Sequence, residues 1–297
     1  MQLFWRRLRH DRVAMGALAF IVFLVLVAIF APFVVKLVGA RPPNNPDPKC
    51  LDSFGTPKGP SSANLFGCDE LGRDLFSRVV YGARVSLEIA ILATALSVAI
   101  GVTVGMIAGY FRGWVDTALS RVIDVLLAFP ILLLGLGIGA SCSLGHGCLG
   151  GLLKPGLSVV VFIIAFVNWT YIARIIRGQV LSLREKEFVE AARAIGASDA
   201  RIVFREILPN LVAPIIVYST LIIPTNILFE AALSFLGVGV QPPDPSWGKM
   251  LAKASEIFDT AWWYMVFPGM ALLLTVLAFN LLGDGLQDAL NPKAGKS

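Results

Sequence analysis

The chain has 297 residues, 56% of them hydrophobic and only 15% charged, with 25 Lys and Arg against 20 Asp and Glu. A soluble domain carries nearer to about 25% charge, because so much of its surface faces water, so a mean hydropathy of +0.75 places the chain in the membrane. A disordered tail, a small disulfide-knotted scaffold and a soluble nucleic-acid binder are excluded, since the net charge of +5 sits on short segments between apolar runs. The first of these runs, 13–38, follows Arg6, Arg7, Arg9 and Arg12. It outlasts the apolar core of a signal peptide, about 7–15 residues. Further runs lie at 85–110, 115–139, 156–176, 211–236 and 262–283, each long enough to cross as a helix. They are continuously apolar and do not alternate, which excludes a β-barrel. The fold expected is an all-α polytopic membrane protein with six transmembrane helices.

With the N-terminus in the cytoplasm, 15 of the 25 cations fall on inner segments, and the positive-inside rule favours that orientation. Seven cations between Lys36 and Arg84 fall outside, but inversion would expose the seven between Arg174 and Arg205. Both termini, 1–12 and 284–297, are then cytoplasmic. Residues 13–84 hold the first span and an outer loop, and 85–283 a five-helix core. The outer loop begins with Pro42, Pro43, Pro46, Pro48, Pro57 and Pro60, a composition that favours extended, solvated chain. It reads as either a docking surface or a linker.

The inner loop, 178–210, carries the densest local grammar. Ser182 and Glu185 form a capping box that would start a helix. Phe188, Ala191 or Ala192, and Ile195 recur at helical spacing beside Lys186, Glu190 and Arg193. Gly196 stands where a left-handed residue would end that helix. Ser198 can then cap a second short helix, with Asp199 favourably placed against the dipole, running to just before Pro209. The product is an elbow of two short amphipathic helices.

Glu190-Ala191-Ala192-Arg193, then Gly196, then Leu208-Pro209 resembles the EAA loop of ABC importer permeases, whose coupling helix docks on an ATPase subunit. Glu206 departs from that pattern, which often has an apolar residue there. Gly72-Arg73-Asp74, Ser77-Arg78 and Tyr81-Gly82-Ala83-Arg84, then Asp116, Arg121, Asp124 and Phe129-Pro130, resemble one branch, the C-type subunit of dipeptide and oligopeptide permeases. Ala232 to Gly237, Gln241-Pro242-Pro243, Trp247-Gly248, Phe267-Pro268-Gly269 and Leu277 to Leu286 extend the likeness over about 66–292. It implies the type I importer fold in a bacterial inner membrane, a paralogous B-type permease, two ABC ATPases and an external substrate-binding protein, with peptides as cargo. Nickel, glutathione or another small solute is the alternative cargo, and a stand-alone secondary transporter a rival reading. No GxxxxGK[ST] phosphate loop occurs, so no cofactor is assigned to this chain; ATP and Mg are expected in the partner ATPases. His10 and His146 lie at opposite ends of the topology, and no catalytic constellation assembles.

Ionisable groups inside a span default to function. Glu230, with Asn226 beside it, reads as lining a translocation path, or as a satisfied structural or interface group. Arg84 with Glu88, and Arg121 with Asp124, read as local pairs one turn apart. Gly101, Gly105 and Gly109 share one helix face and read as a packing seam. Pro130, Pro214, Pro224 and Pro268 are candidate bends. Oxidising surroundings would permit disulfides between Cys142 and Cys148 and between Cys50 and Cys68. Cys142, His146 and Cys148 offer only three ligands, so no metal site is assigned.

Overall fold

A computed structural model of the chain describes residues 7–143 and 156–290, and the described residues form helices and loops with two isolated β-bridges. The first span, Arg12–Ile29, starts because the Asp11 carboxylate accepts from the backbone amides of Val13 and Ala14 at 2.9 and 3.0 Å. It breaks before Pro32 and continues as Ala31–Val38, which Gly39 ends in the left-handed conformation, φ 76°. The second span, Leu75–Phe111, begins ten residues before the apolar run. At 1.5 Å per residue its 37 residues reach about 55 Å, against a hydrocarbon core of about 30 Å. The helix is therefore longer than a crossing requires.

The third span is not the single helix expected over 115–139. Two helices, Gly113–Ala128 and Ile131–Ser143, meet at 87°. Pro130 holds the residue before it out of helical geometry, and Phe129 is extended at φ −79°, ψ 138°. Behind the bend, the fourth span, Leu157–Leu183, packs along the second. A Cβ on Gly101 would lie 2.7 Å from Cβ of Ile172, one on Gly105 2.6 Å from the Ala173 carbonyl oxygen, and one on Gly109 2.8 Å from Cβ of Val180. Those three missing side chains are what lets the two backbones approach.

A short helix, Glu187–Ala194, leads to a long one, Asp199–Phe235, which contains a π-helical turn at Ile202–Ile207. The second elbow helix therefore does not stop before Pro209 but runs into the fifth span. The widened turn, with the Leu208 amide bonded to the Val203 carbonyl, stands just before Pro209, whose ring would otherwise meet the carbonyl four residues earlier. A surface helix, Trp247–Ala254, then precedes the sixth span, Trp262–Leu290, which packs on the first where Gly285 meets Ala14.

The outer loop is a folded cap, not extended chain. Cys50 and Cys68 form a disulfide, and Leu51 with Pro57 and Cys68 with Asp74 form the β-bridges. Asp69, fully buried, accepts from the amides of Leu71 and Arg73 and from Arg73 Nε at 2.7 Å, and faces Arg78 Nε at 3.2 Å. Asp74 caps the second span through the Ser77 amide at 2.8 Å. Gly72, at φ 71°, turns where a Cβ would lie 2.9 Å from the Asp47 carbonyl oxygen. Trp263 Nε1 donates to the Cys68 carbonyl and Trp247 Nε1 to that of Val79, pinning the cap to the sixth span and the surface helix to the second span. The prolines set the turns, and this internal bonding does the folding. Cys142 lies buried at the end of its helix, while Cys148, and with it the Cys142–Cys148 pairing, lies outside the described residues.

Candidate coupling site and intramembrane polar cluster

The capping box at Ser182 and Glu185 does not form. Ser182 stays inside the fourth-span helix, which continues through buried Val180 to Leu183, and the elbow helix starts five residues later at Glu187 with Lys186 as its cap. Glu185 instead pairs with Arg112 across the gap to the second span. That hydrogen bond and the guanidinium charge hold its carboxyl below the usual glutamate range.

At the other end the elbow closes through Gly196, at φ 78°. Its amide donates to the Arg193 carbonyl at 2.9 Å, and the Ala197 amide to that of Ala192 at 3.0 Å, the paired bonds of a Schellman motif. Ser198 adopts the extended backbone of a cap, with no side-chain capping bond.

Which face is buried differs from what the spacing suggests. Val189 and Ala192 enter a core shared with Met106, Val180, Ile202 and Ile207. Phe188, Ala191 and Ile195 point outward, Ile195 being 79% exposed, with Phe204 a further exposed ring at 62%. Glu190 and Arg193 flank them in solvent, Leu208 is half-buried and Pro209 exposed. The elbow thus rests on the bundle by one apolar edge and presents a second one.

Above the elbow, Asp116 binds Arg177 through Nη2 at 2.8 Å and Asp124 binds Arg174 at 2.6 Å. Arg121 and Asp124 are therefore not a pair: Asp124 takes its cation from the fourth span, and Arg121 has no ion pair among the described residues. These groups line a polar cavity of about 370 Å³. Arg84 and Glu88 are likewise unjoined, both exposed. For Asp124, spacing within one helix lost to the geometry of a neighbouring one.

Asn226 and Glu230 are both fully buried inside the subunit. Asn226 donates to Thr94 Oγ1 at 2.7 Å and accepts from Asn168 at 2.6 Å. Glu230 accepts from Ser86 at 2.9 Å and from Ser234 at 2.7 Å, and Ser234 Oγ in turn accepts from the Val240 amide. They tie the second, fourth and fifth spans together and are closed off from solvent among the described residues. An open, mainly apolar cavity of about 390 Å³ lies beside the third-span bend instead, lined by Leu127, Ile131, Tyr171, Tyr218 and Thr225 among others.

Residues 101–296 match the family described as binding-protein-dependent transport system inner membrane component, and residues 1–50 the N-terminal TM domain of oligopeptide transport permease C. The chain is 43% identical over 289 residues to the dipeptide transport system permease protein DppC of Alkalihalophilus pseudofirmus, covering 97% of this chain and 88% of that protein. The chain belongs to this permease family. It is also 43% identical over 290 residues to the glutathione transport system permease protein GsiD of Escherichia coli, covering 98% of this chain and 89% of that one. A chain of the methionine ABC transporter MetNI shares the fold, with a TM-score of 0.60 at 18% identity over 72% of this permease and 97% of that chain. One from an amino acid ABC transporter does so at a TM-score of 0.50 and 19% identity, over 70% and 92%.

Within the permease, Gly72, Asp74 and Arg78 of the GRDxxSR segment are a turn, a helix cap and a buried partner of Asp69. Sequence reasoning missed Tyr110 and Arg174, because each acts through a partner far away in the chain, and it missed Asp69, whose partners Leu71, Arg73 and Arg78 are close. Trp263, which holds the outer loop at the Cys68 carbonyl, was singled out by no sequence pattern.

Proposed function

We propose that this permease is one transmembrane subunit of an ATP-driven peptide importer of the bacterial inner membrane, working by alternating access with both termini in the cytoplasm. Its partners are a paralogous permease, two ATPase subunits that hold the ATP and Mg, and an extracytoplasmic binding protein. The observation that carries the reading is the elbow: a helix seated on the bundle by Val189 and Ala192 while Phe188, Ala191 and Ile195 remain uncovered. A soluble domain seated on those side chains would move the elbow as a lever, and the uninterrupted helix from Asp199 to Phe235 would carry that motion into the bundle. Gly196 sets the lever's angle, since a side chain at φ 78° costs about 1–2 kcal/mol. Small Ala191 permits close approach, and Glu190 and Arg193 supply polar contacts at the rim.

Peptides are favoured as cargo by the relatives' dipeptide and glutathione transport, and glutathione is itself a tripeptide. Gly196→Val and Glu190→Ala in the assembled transporter should leave membrane insertion intact while lowering ATPase capture or uptake of labelled dipeptide and glutathione probes. Normal capture and uptake in both variants would refute the coupling role. Uptake of nickel with neither peptide probe would redirect the cargo alone.

A further inference from the structure

Tyr110 is the penultimate residue of the second span and is 4% exposed. Its hydroxyl donates to Asp199 Oδ1 at 2.6 Å, within the range of about 2.5–2.7 Å for a bond to a charged oxygen. Two guanidinium groups approach its ring, those of Arg184 and Arg193, each 5.8 Å from the centroid. Arg184 also donates to the Tyr110 carbonyl. One side chain therefore touches the exit of the fourth span at Arg184, the last turn of the elbow helix at Arg193 and the entry of the fifth span at Asp199. Just before it, Gly109 lies against Val180 in the seam between the second and fourth spans.

The remaining contacts of the elbow with the bundle are chiefly apolar, through Val189, Ala192, Ile202 and Ile207. Apolar contact resists separation but has no direction, so it permits sliding. A charge-assisted hydrogen bond and two cation–π contacts fix an angle as well. We propose that Tyr110 is a positioning residue that fastens the elbow to the second span. A displacement imposed on the elbow then moves the second and fourth spans as a slab, and not only the fifth span to which the chain connects it. The inference rests on the coupling role proposed above.

The test uses the assembled transporter in lipid nanodiscs, with spin labels at Ile107→Cys on the second span and Arg201→Cys at the entry of the fifth, both at exposed positions. Electron–electron distances are compared without nucleotide and with ATP trapped by vanadate. In the otherwise unaltered protein the mean distance should stay fixed between the two states. In Tyr110→Phe and Asp199→Ala it should change by at least the ~1–2 Å of a helix shift, and broaden. Asp199→Asn keeps an acceptor for the hydroxyl and should stay fixed, a rescue that a merely structural role would not predict. Because Asp199 is exposed, its variants test the contact even if Tyr110→Phe assembles poorly. Distances fixed in Tyr110→Phe and Asp199→Ala, or moving between states in the unaltered protein, would overturn the proposal. Absence of the ATPase from the purified complex would remove the coupling role itself, a result visible before any distance is measured.

Discussion

The outer cap and the inner elbow are both short segments rich in charge and small residues, yet they are built on opposite principles. The cap is closed. Asp69 and Arg78 are buried together, Cys50 and Cys68 are bonded, and Trp263 reaches into the loop to hold it. The elbow is open: Phe188, Ile195 and Phe204 stand exposed beside solvated Glu190 and Arg193. A segment that satisfies its own polar groups closes on itself, and one that leaves apolar side chains in water has a surface to offer.

Four changes would break or sharpen that contrast. The largest effect is expected from Asp69→Ala, which leaves the buried Arg78 guanidinium without its counter-charge and should cost about 3–5 kcal/mol, seen as a lowered thermal midpoint of the purified protein. Cys50→Ser with Cys68→Ser opens a loop of sequence separation 18 and should cost ~2–4 kcal/mol in the same measurement. Phe188→Ala with Ile195→Ala should change stability by less than about 0.5 kcal/mol, as at surface positions, while reducing co-purification of the ATPase severalfold. A large loss of stability there would make the elbow a second cap. The smallest effect concerns Asp52, whose carboxylate accepts from the amides of Thr56 and Phe54 at 2.8 and 2.9 Å. The Thr56 bond leads in holding its pKa below the ordinary value. Its contribution is complete above the unfolded pKa of about 3.9 and lost as pH falls through the lower folded value, so amide exchange at Phe54 and Thr56 should quicken only in acid.

The spans were legible because about 20 apolar residues in a row have few other fates. The bend at Phe129 was not, since hydropathy counts residues and is blind to direction, although Pro130 marked the place. The elbow was legible at Gly196, where one residue's backbone decides the geometry. The buried face was not: spacing shows that Phe188, Ala191 and Ile195 share a side, while Val189 and Ala192 are buried in a core that includes Met106 of the second span, distant in sequence. Asp124 found Arg174 and Glu185 found Arg112 for the same reason. A strong local signal, such as the capping box at Ser182, yields when the preceding helix still has apolar surface to bury.

The most direct measurement places a photo-crosslinking amino acid at Ile195 in intact membranes and identifies the adduct. The account predicts a covalent product with the nucleotide-hydrolysing subunit of the transporter, lost when Gly196 is replaced by Val. Adducts to lipid alone, or to a protein on the outer side of the membrane, would contradict it.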